Sequence, residues 1–181
     1  MVEPRRNIEL KARCADLAAA RAASERCGAR FVHVEEQRDT FFRAAEGRLK
    51  LRERTWRNAQ GAVDRSEAEL IAYRREDVAG ARESRYTVVP VTDPGLLETA
   101  LTSTIGIRGV VAKRRELWML ENVRIHLDAV SGLGSFVEFE AVLGPGDSSE
   151  VAHARLEMLR SGLGLTASAI VPVAYADLLG I

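Results

Sequence analysis

Cysteine is scarce in this chain. Cys14 and Cys27 are the only two among 181 residues, too few for a disulfide framework or a cysteine-based zinc site. Both lie on or beside a predicted helix, where packing is their expected role. Histidine is nearly as rare, and His33, His126 and His153 form no ligand pair. No apolar run approaches the roughly 18 residues of a membrane-spanning helix, and the first residues lack the apolar stretch of a signal peptide. The formal net charge is zero, which argues against a nucleic-acid-binding surface. Neither a Walker loop nor a Gly-rich dinucleotide turn is present, so a bound phosphate has to be held by side chains. These absences lead to the expectation of one cytoplasmic domain over residues 1–181, with no membrane and no nucleic acid among its partners.

What the sequence does contain is charge arranged with a period of two. Residues 5–13 alternate Asn7, Glu9, Lys11 and Arg13 against Ile8, Leu10 and Ala12, the pattern of a strand with one polar face. Asp16 is positioned to cap an Ala-rich helix ending at Gly28. Strands are predicted at 31–43, 48–55 and 67–75, with a turn at 45–47 and a loop of about ten residues holding Asn58 and Gly61. Residues 76–83 read as loop, and a strand over 84–90 ends at Pro90. A helix opens at Asp93-Pro94 and reaches about Thr104. Strands follow at 108–118, 122–130 and 135–143. Asp147 and Glu150 resemble a capping box for a helix to about Gly162, with Ala152, Leu156, Leu159 and Leu163 on one face. A short helix is predicted from Pro172 over 172–179.

Residues 5–75 thus read strand, helix, strand, strand, strand, and residues 84–143 repeat that order. Eight antiparallel strands in two matching halves can close into a barrel, which removes exposed edges. The polar faces carry Glu9, Lys11 and Arg13; Arg48, Lys50, Arg52 and Arg54; Glu67 and Glu69; Lys113 and Arg115; Arg124, His126 and Asp128; Glu138 and Glu140. Two readings of them stand at this point. One is a sheet with an ordinary wet face; the other is an enclosed charged lumen. The second is favoured because basic residues crowd some strands and acidic ones others, without the mixing an exposed sheet prefers. Two carboxylates about 4 Å apart repel by roughly 4 kcal/mol at an intermediate dielectric, which a cation relieves. All-oxygen ligands suit Mg²⁺ or Mn²⁺, and facing Arg and Lys side chains suit a polyphosphate.

Several of these segments resemble the CYTH, or triphosphate tunnel metalloenzyme, superfamily. NIELK at 7–11 is similar to its E-x-E-x-K signature, RLKLRE at 48–53 to its basic strand, and VAKRREL at 111–117 to its Lys-x-Arg strand. RIHLDAVSGLGSFVEFEA at 124–141 is similar to its Arg, Asp and paired-Glu end. The resemblance implies an α+β fold: a closed eight-stranded antiparallel tunnel of two β-α-β-β-β units with flanking helices. It implies metal ligation by Glu9, Asp128, Glu138 and Glu140, with Mg²⁺ or Mn²⁺ as the cofactor. Phosphate contacts fall to Lys11, Arg48, Lys50, Arg52, Lys113, Arg115 and Arg124, with Lys11, Lys113 and Arg115 in the catalytic role. The implied partner is ATP, thiamine triphosphate or tripolyphosphate, and the implied reaction is cyclisation of ATP or hydrolysis of a triphosphate. The style is closest to class IV adenylyl cyclase-like proteins. A non-catalytic nucleotide or polyphosphate binder of the same fold is the alternative, and a homodimer is one admissible assembly. Asn7 stands where the signature has its first Glu, removing one negative charge.

Overall fold

The structure, a computed structural model, describes residues 5–58, 60–75 and 81–181. Strand β1 (Arg5–Arg13), helix α1 (Leu17–Arg26) and strands β2 (Arg30–Phe42), β3 (Arg48–Arg57) and β4 (Val63–Arg75) make the first unit. Strand β5 (Arg82–Val91), helix α2 (Pro94–Thr104) and strands β6 (Ile107–Leu120), β7 (Val123–Val130) and β8 (Gly134–Leu143) make the second. Helices α3 (Ser149–Gly162) and α4 (Tyr175–Leu178) follow. The strands close into an antiparallel barrel in the order β1-β5-β4-β3-β2-β6-β7-β8. Corresponding strands of the two units pair with each other at two seams, β1 with β5 and β2 with β6. That arrangement is what a two-fold related duplication produces.

Most element boundaries follow the local chemistry. Asp16 caps α1 by accepting from the amides of Ala18 and Ala19, and Asp93 caps α2 by accepting from that of Leu96. The loop with Asn58 is shorter than expected, because β3 and β4 extend to Arg57 and back to Val63. Asn58 makes the tight turn feasible by accepting from the amides of Gln60 and Ala62. Of the stretch predicted as loop at 76–83, residues 76–80 lie outside the described residues, and β5 already begins at Arg82. Pro90 lies inside β5 rather than ending it. Past Tyr86 that strand pairs only with β4 among the described residues, an edge-like place where a missing N–H is tolerated.

Two helix expectations are corrected. The N-cap of α3 is Ser148, which accepts from Val151 N; Asp147 instead accepts from Gly144 N at 2.7 Å and closes the preceding turn. The final helix is four residues long, starting three residues after Pro172. It is anchored by tertiary contacts, since so short a helix has no stability of its own.

The main core lies outside the barrel, under α1 and α3. Ile8, Leu10, Val123, Ile125, Leu127, Val137 and Phe139 point outward from the strands and pack against Ala20, Leu156 and Leu159. The predicted face of α3 is confirmed by the burial of Ala152, Leu156 and Leu159. Helix α2 buries none of its residues and is tied down by polar contacts of Glu98 with Arg38 and Thr40. A second cluster of Phe41, Val111, Val130, Phe136, Val171, Tyr175 and Ala176 closes one end of the barrel. Ile181 packs into the room that Gly109 leaves there.

Candidate functional site

The inward-facing residues of the strands line a cavity of about 320 Å³ inside the barrel. At one end Tyr175 and Ala174 close it; around it stand Glu9, Lys11, Lys50, Arg52, Lys113, Arg115, Arg124, Glu138 and Glu140. The period-two charges therefore converge on one enclosed space, as inward-facing positions of a small barrel must.

Charge in this lumen is mixed across strands. The separation of basic from acidic strands seen in sequence vanishes on closure: Arg52 faces Glu69, Lys11 faces Glu138, Arg124 faces Glu140 and Arg115 faces Asp128. Glu9 and Glu140 are the exception, standing directly opposite each other on β1 and β8.

Three clusters organise the lumen. On its β2–β3 side Asp39 is buried and accepts from Arg52 Nε and Nη2 at 2.7 Å each and from Lys50 Nζ at 2.8 Å. Burial opposes ionisation of Asp39, but Arg52 and Lys50 outweigh it and hold the carboxyl well below the usual range. Burial and the neighbouring Arg52 push Lys50 down to about 7, with Asp39 offsetting part of the shift. On the β6–β7 side Asp128 accepts from Arg115 Nε and Nη2 at 2.6 Å each and from the Tyr175 hydroxyl at 2.9 Å. Burial and Arg115 lower Lys113 to about 8. Lys11 Nζ lies 4.0 Å over the Tyr175 ring and Lys113 Nζ 5.0 Å from its centre, contacts that suit partly desolvated cations.

The third cluster is acidic. Glu138 accepts from Arg115 at 2.8 Å and lies 3.4 Å from both Lys11 Nζ and His126 Nδ1. Glu140 accepts from Arg124 at 3.3 Å and from Asn7 Nδ2. Burial disfavours both charges, yet Lys11 and His126 hold Glu138 well below the ordinary value, and His126 and Arg124 lower Glu140. His126 itself is lowered by burial and by Arg115. Because Asn7 Nδ2 is turned to a carboxylate, its Oδ1 is left buried without a hydrogen-bond partner. An orphaned acceptor of this kind costs free energy and calls for an explanation.

Of the residues singled out from sequence, Glu9, Lys11, Lys50, Arg52, Lys113, Arg115, Arg124, Glu138 and Glu140 line the cavity together. Two do not. Asp128, expected beside the metal ligands, is fully buried beneath the lumen residues Arg115, Tyr175 and Lys113, which engage its oxygens. Arg48, expected at the phosphates, leaves the lumen lining and donates to Asp177 of α4 at 2.8 Å. Sequence reasoning missed Glu35, Gln37 and Asp39 of β2, though their own period of two was there to be read, and Tyr175, for which no local signal exists. His126 belongs to the acidic cluster through the barrel, not through any histidine partner.

A metal would find an all-oxygen donor set here: Glu9, Glu138, Glu140 and the orphaned Asn7 Oδ1. Among the described residues no group of three or more His, Cys, Asp or Glu side chains could hold an ion by itself. Held apart in this arrangement, Glu9, Glu138, Glu140 and Asn7 are all-oxygen donors of the kind a hard cation such as Mg²⁺ takes, water and substrate oxygens filling the rest of its shell.

Comparison with known proteins is consistent with this geometry. The family model described as CYTH domain matches residues 5–170. No curated protein matches the chain. Among solved structures, the PH1012 protein of Pyrococcus horikoshii OT3 is 26% identical with a TM-score of 0.78, over 95% of this chain and 98% of that one. A candidate adenylate cyclase from Vibrio parahaemolyticus is 18% identical with a TM-score of 0.73, covering 99% and 100%. A Hippeastrum candidate adenylyl cyclase, described as having a dominant triphosphatase activity, is 16% identical with a TM-score of 0.59, covering 97% and 93%. The last two show the fold.

Proposed function

Since this chain belongs to the CYTH family, we propose that it is a metal-dependent enzyme acting on a small triphosphate, either hydrolysing it or cyclising ATP. One observation carries this reading: among the described residues, seven Lys and Arg side chains and six carboxylates converge on a single cavity closed at one end. A phosphate chain entering from the open end meets Arg124 first, and Lys11, Lys50, Arg52, Lys113 and Arg115 deeper in. Guanidinium groups clamp phosphate oxygens in pairs, and their own orientation is fixed in advance by Asp39 and Asp128. That preorganisation is the main contribution a protein makes to phosphoryl transfer.

Glu9, Glu138 and Glu140, with Asn7 Oδ1, would hold Mg²⁺ or Mn²⁺; when bound, the ion neutralises phosphate charge and orients the nucleophile. The chain's own basic residues supply the rest, balancing charge on the leaving phosphate as the bond breaks. Asp128 acts through Arg115 and Tyr175 and is a positioning residue in this reading. Closure by Tyr175 excludes water behind the innermost phosphate.

The test is incubation with ATP, thiamine triphosphate and tripolyphosphate in turn, with Mg²⁺ or Mn²⁺, followed by assay for cyclic AMP, pyrophosphate and phosphate. Release of any of these products supports the reading and names the reaction. Tight binding without product from any substrate would replace it with a non-catalytic polyphosphate binder.

A further inference from the structure

A second cavity of about 260 Å³ lies beyond the closed end of the barrel, lined by Phe41, Phe42, Arg43, Ala44, Gly47, Arg48 and Arg108. It is separate from the lumen: apart from Phe41, no residue lines both. Gly47 is required in its wall, with φ of 67° and an added Cβ meeting Tyr73 O at 2.8 Å.

Three guanidinium groups reach this cavity, and one carboxylate serves two of them. Asp177 accepts from Arg48 Nη2 at 2.8 Å and from Arg108 Nη2 at 3.5 Å, and from the amide of Ala174 at 3.0 Å. The Arg43 side chain makes no hydrogen bond or ion pair within the described residues. Arg48 is largely buried, its side chain 14% exposed, whereas that of Arg108 is 43% exposed. Among the described residues, the Arg43 guanidinium is thus left open and that of Arg108 is held only at 3.5 Å, so both forks are available to an anion entering this pre-shaped cavity beside Arg48. Guanidinium clusters of this kind recognise planar or tetrahedral oxyanions.

We propose that Arg43, Arg48 and Arg108 form a second anion site, taking a small phosphate-type anion in competition with Asp177. The site has a lever on the first one. Asp177 holds α4 in place, and Tyr175 of the same helix seals the lumen and donates to Asp128. An anion that draws Arg48 and Arg108 away from Asp177 loosens the helix that closes the barrel.

Titration calorimetry with inorganic pyrophosphate, and separately with inorganic phosphate, tests this. The wild-type protein is expected to bind two pyrophosphates. The double variant Arg43→Ala/Arg108→Ala, altered only at exposed positions, should keep the lumen site and lose the second one, by about tenfold or more in affinity. Asp177→Asn should tighten the second site severalfold, because the competing charge is gone while the cap on Ala174 N is retained. Arg52→Ala should weaken the lumen site and leave the second intact, so failure at one site is distinguishable from failure at the other. A single site in the wild type that the double variant leaves unchanged would overturn the proposal. So would unchanged or weaker second-site binding in Asp177→Asn.

Discussion

Replacing Asp39 by Asn separates the two tasks of the lumen, folding and anion capture. Asp39 is 3% exposed and accepts three hydrogen bonds from Arg52 and Lys50. Asn preserves the volume but removes the one negative charge that, among the described residues, lies within hydrogen-bonding distance of those two cations. Removing one partner of a buried ion cluster typically costs about 3–5 kcal/mol; the retained amide oxygen still accepts, so about 3 kcal/mol is expected. Urea unfolding followed by the fluorescence of Trp56 and Trp118 measures it at pH 7. The same substitution should tighten polyphosphate binding. A unit charge roughly 6–8 Å from a ligand phosphate is worth about 2–3 kcal/mol at an effective dielectric of about 20, and Asp39 exerts it as repulsion. With screening and lost preorganisation of Arg52 subtracted, tripolyphosphate affinity should rise about tenfold at low salt. A variant as stable as the wild type, or one that binds tripolyphosphate more weakly, would refute the idea that Asp39 stabilises the fold by balancing Arg52 and Lys50 while repelling the bound anion.

Further outcomes are expected at other positions. Lys50 and Lys113, lowered to about 7 and about 8, should take up protons when a polyphosphate binds above pH 7. Calorimetry in buffers of different ionisation enthalpy should detect this, with affinity falling as pH rises from 7 to 9. The sign for stability is opposite. Both folded values lie below the ordinary 10.5, so the unfolded chain binds more protons, and these two groups make the fold more stable as pH rises from about 7 toward 10.5. Glu140→Ala should reduce metal-dependent activity far more than it changes the urea midpoint, since a lumen carboxylate is retained for function at some expense of stability. Tyr175→Phe should destabilise the protein by about 1–2 kcal/mol through the lost bond to Asp128, read as a lower melting temperature. Leu156→Ala, on the buried face of α3, should cost about 2–5 kcal/mol without altering polyphosphate affinity.

The strands and their faces were legible in the sequence because period two is a local property. Ile8 and Leu10 had to leave the side on which Glu9 and Lys11 stand, and the repeated order of elements pointed to two matching units. The signature-like segments identified most of the lumen residues for the same reason, each lying within one strand. What depended on partners could not be read this way. Which strands become neighbours decides that Arg52 finds Asp39 and Arg115 finds Asp128, so the apparent segregation of charge disappeared once the barrel closed. Arg48 shares the period of Lys50 and Arg52 but sits at the strand's end, where α4 supplies Asp177; a short helix near 172–179 was legible, but no local pattern announces that it docks on a residue 129 positions earlier. Sequence periodicity sets which way a side chain faces, whereas closure of the barrel and docking of its final helix set what that side chain meets.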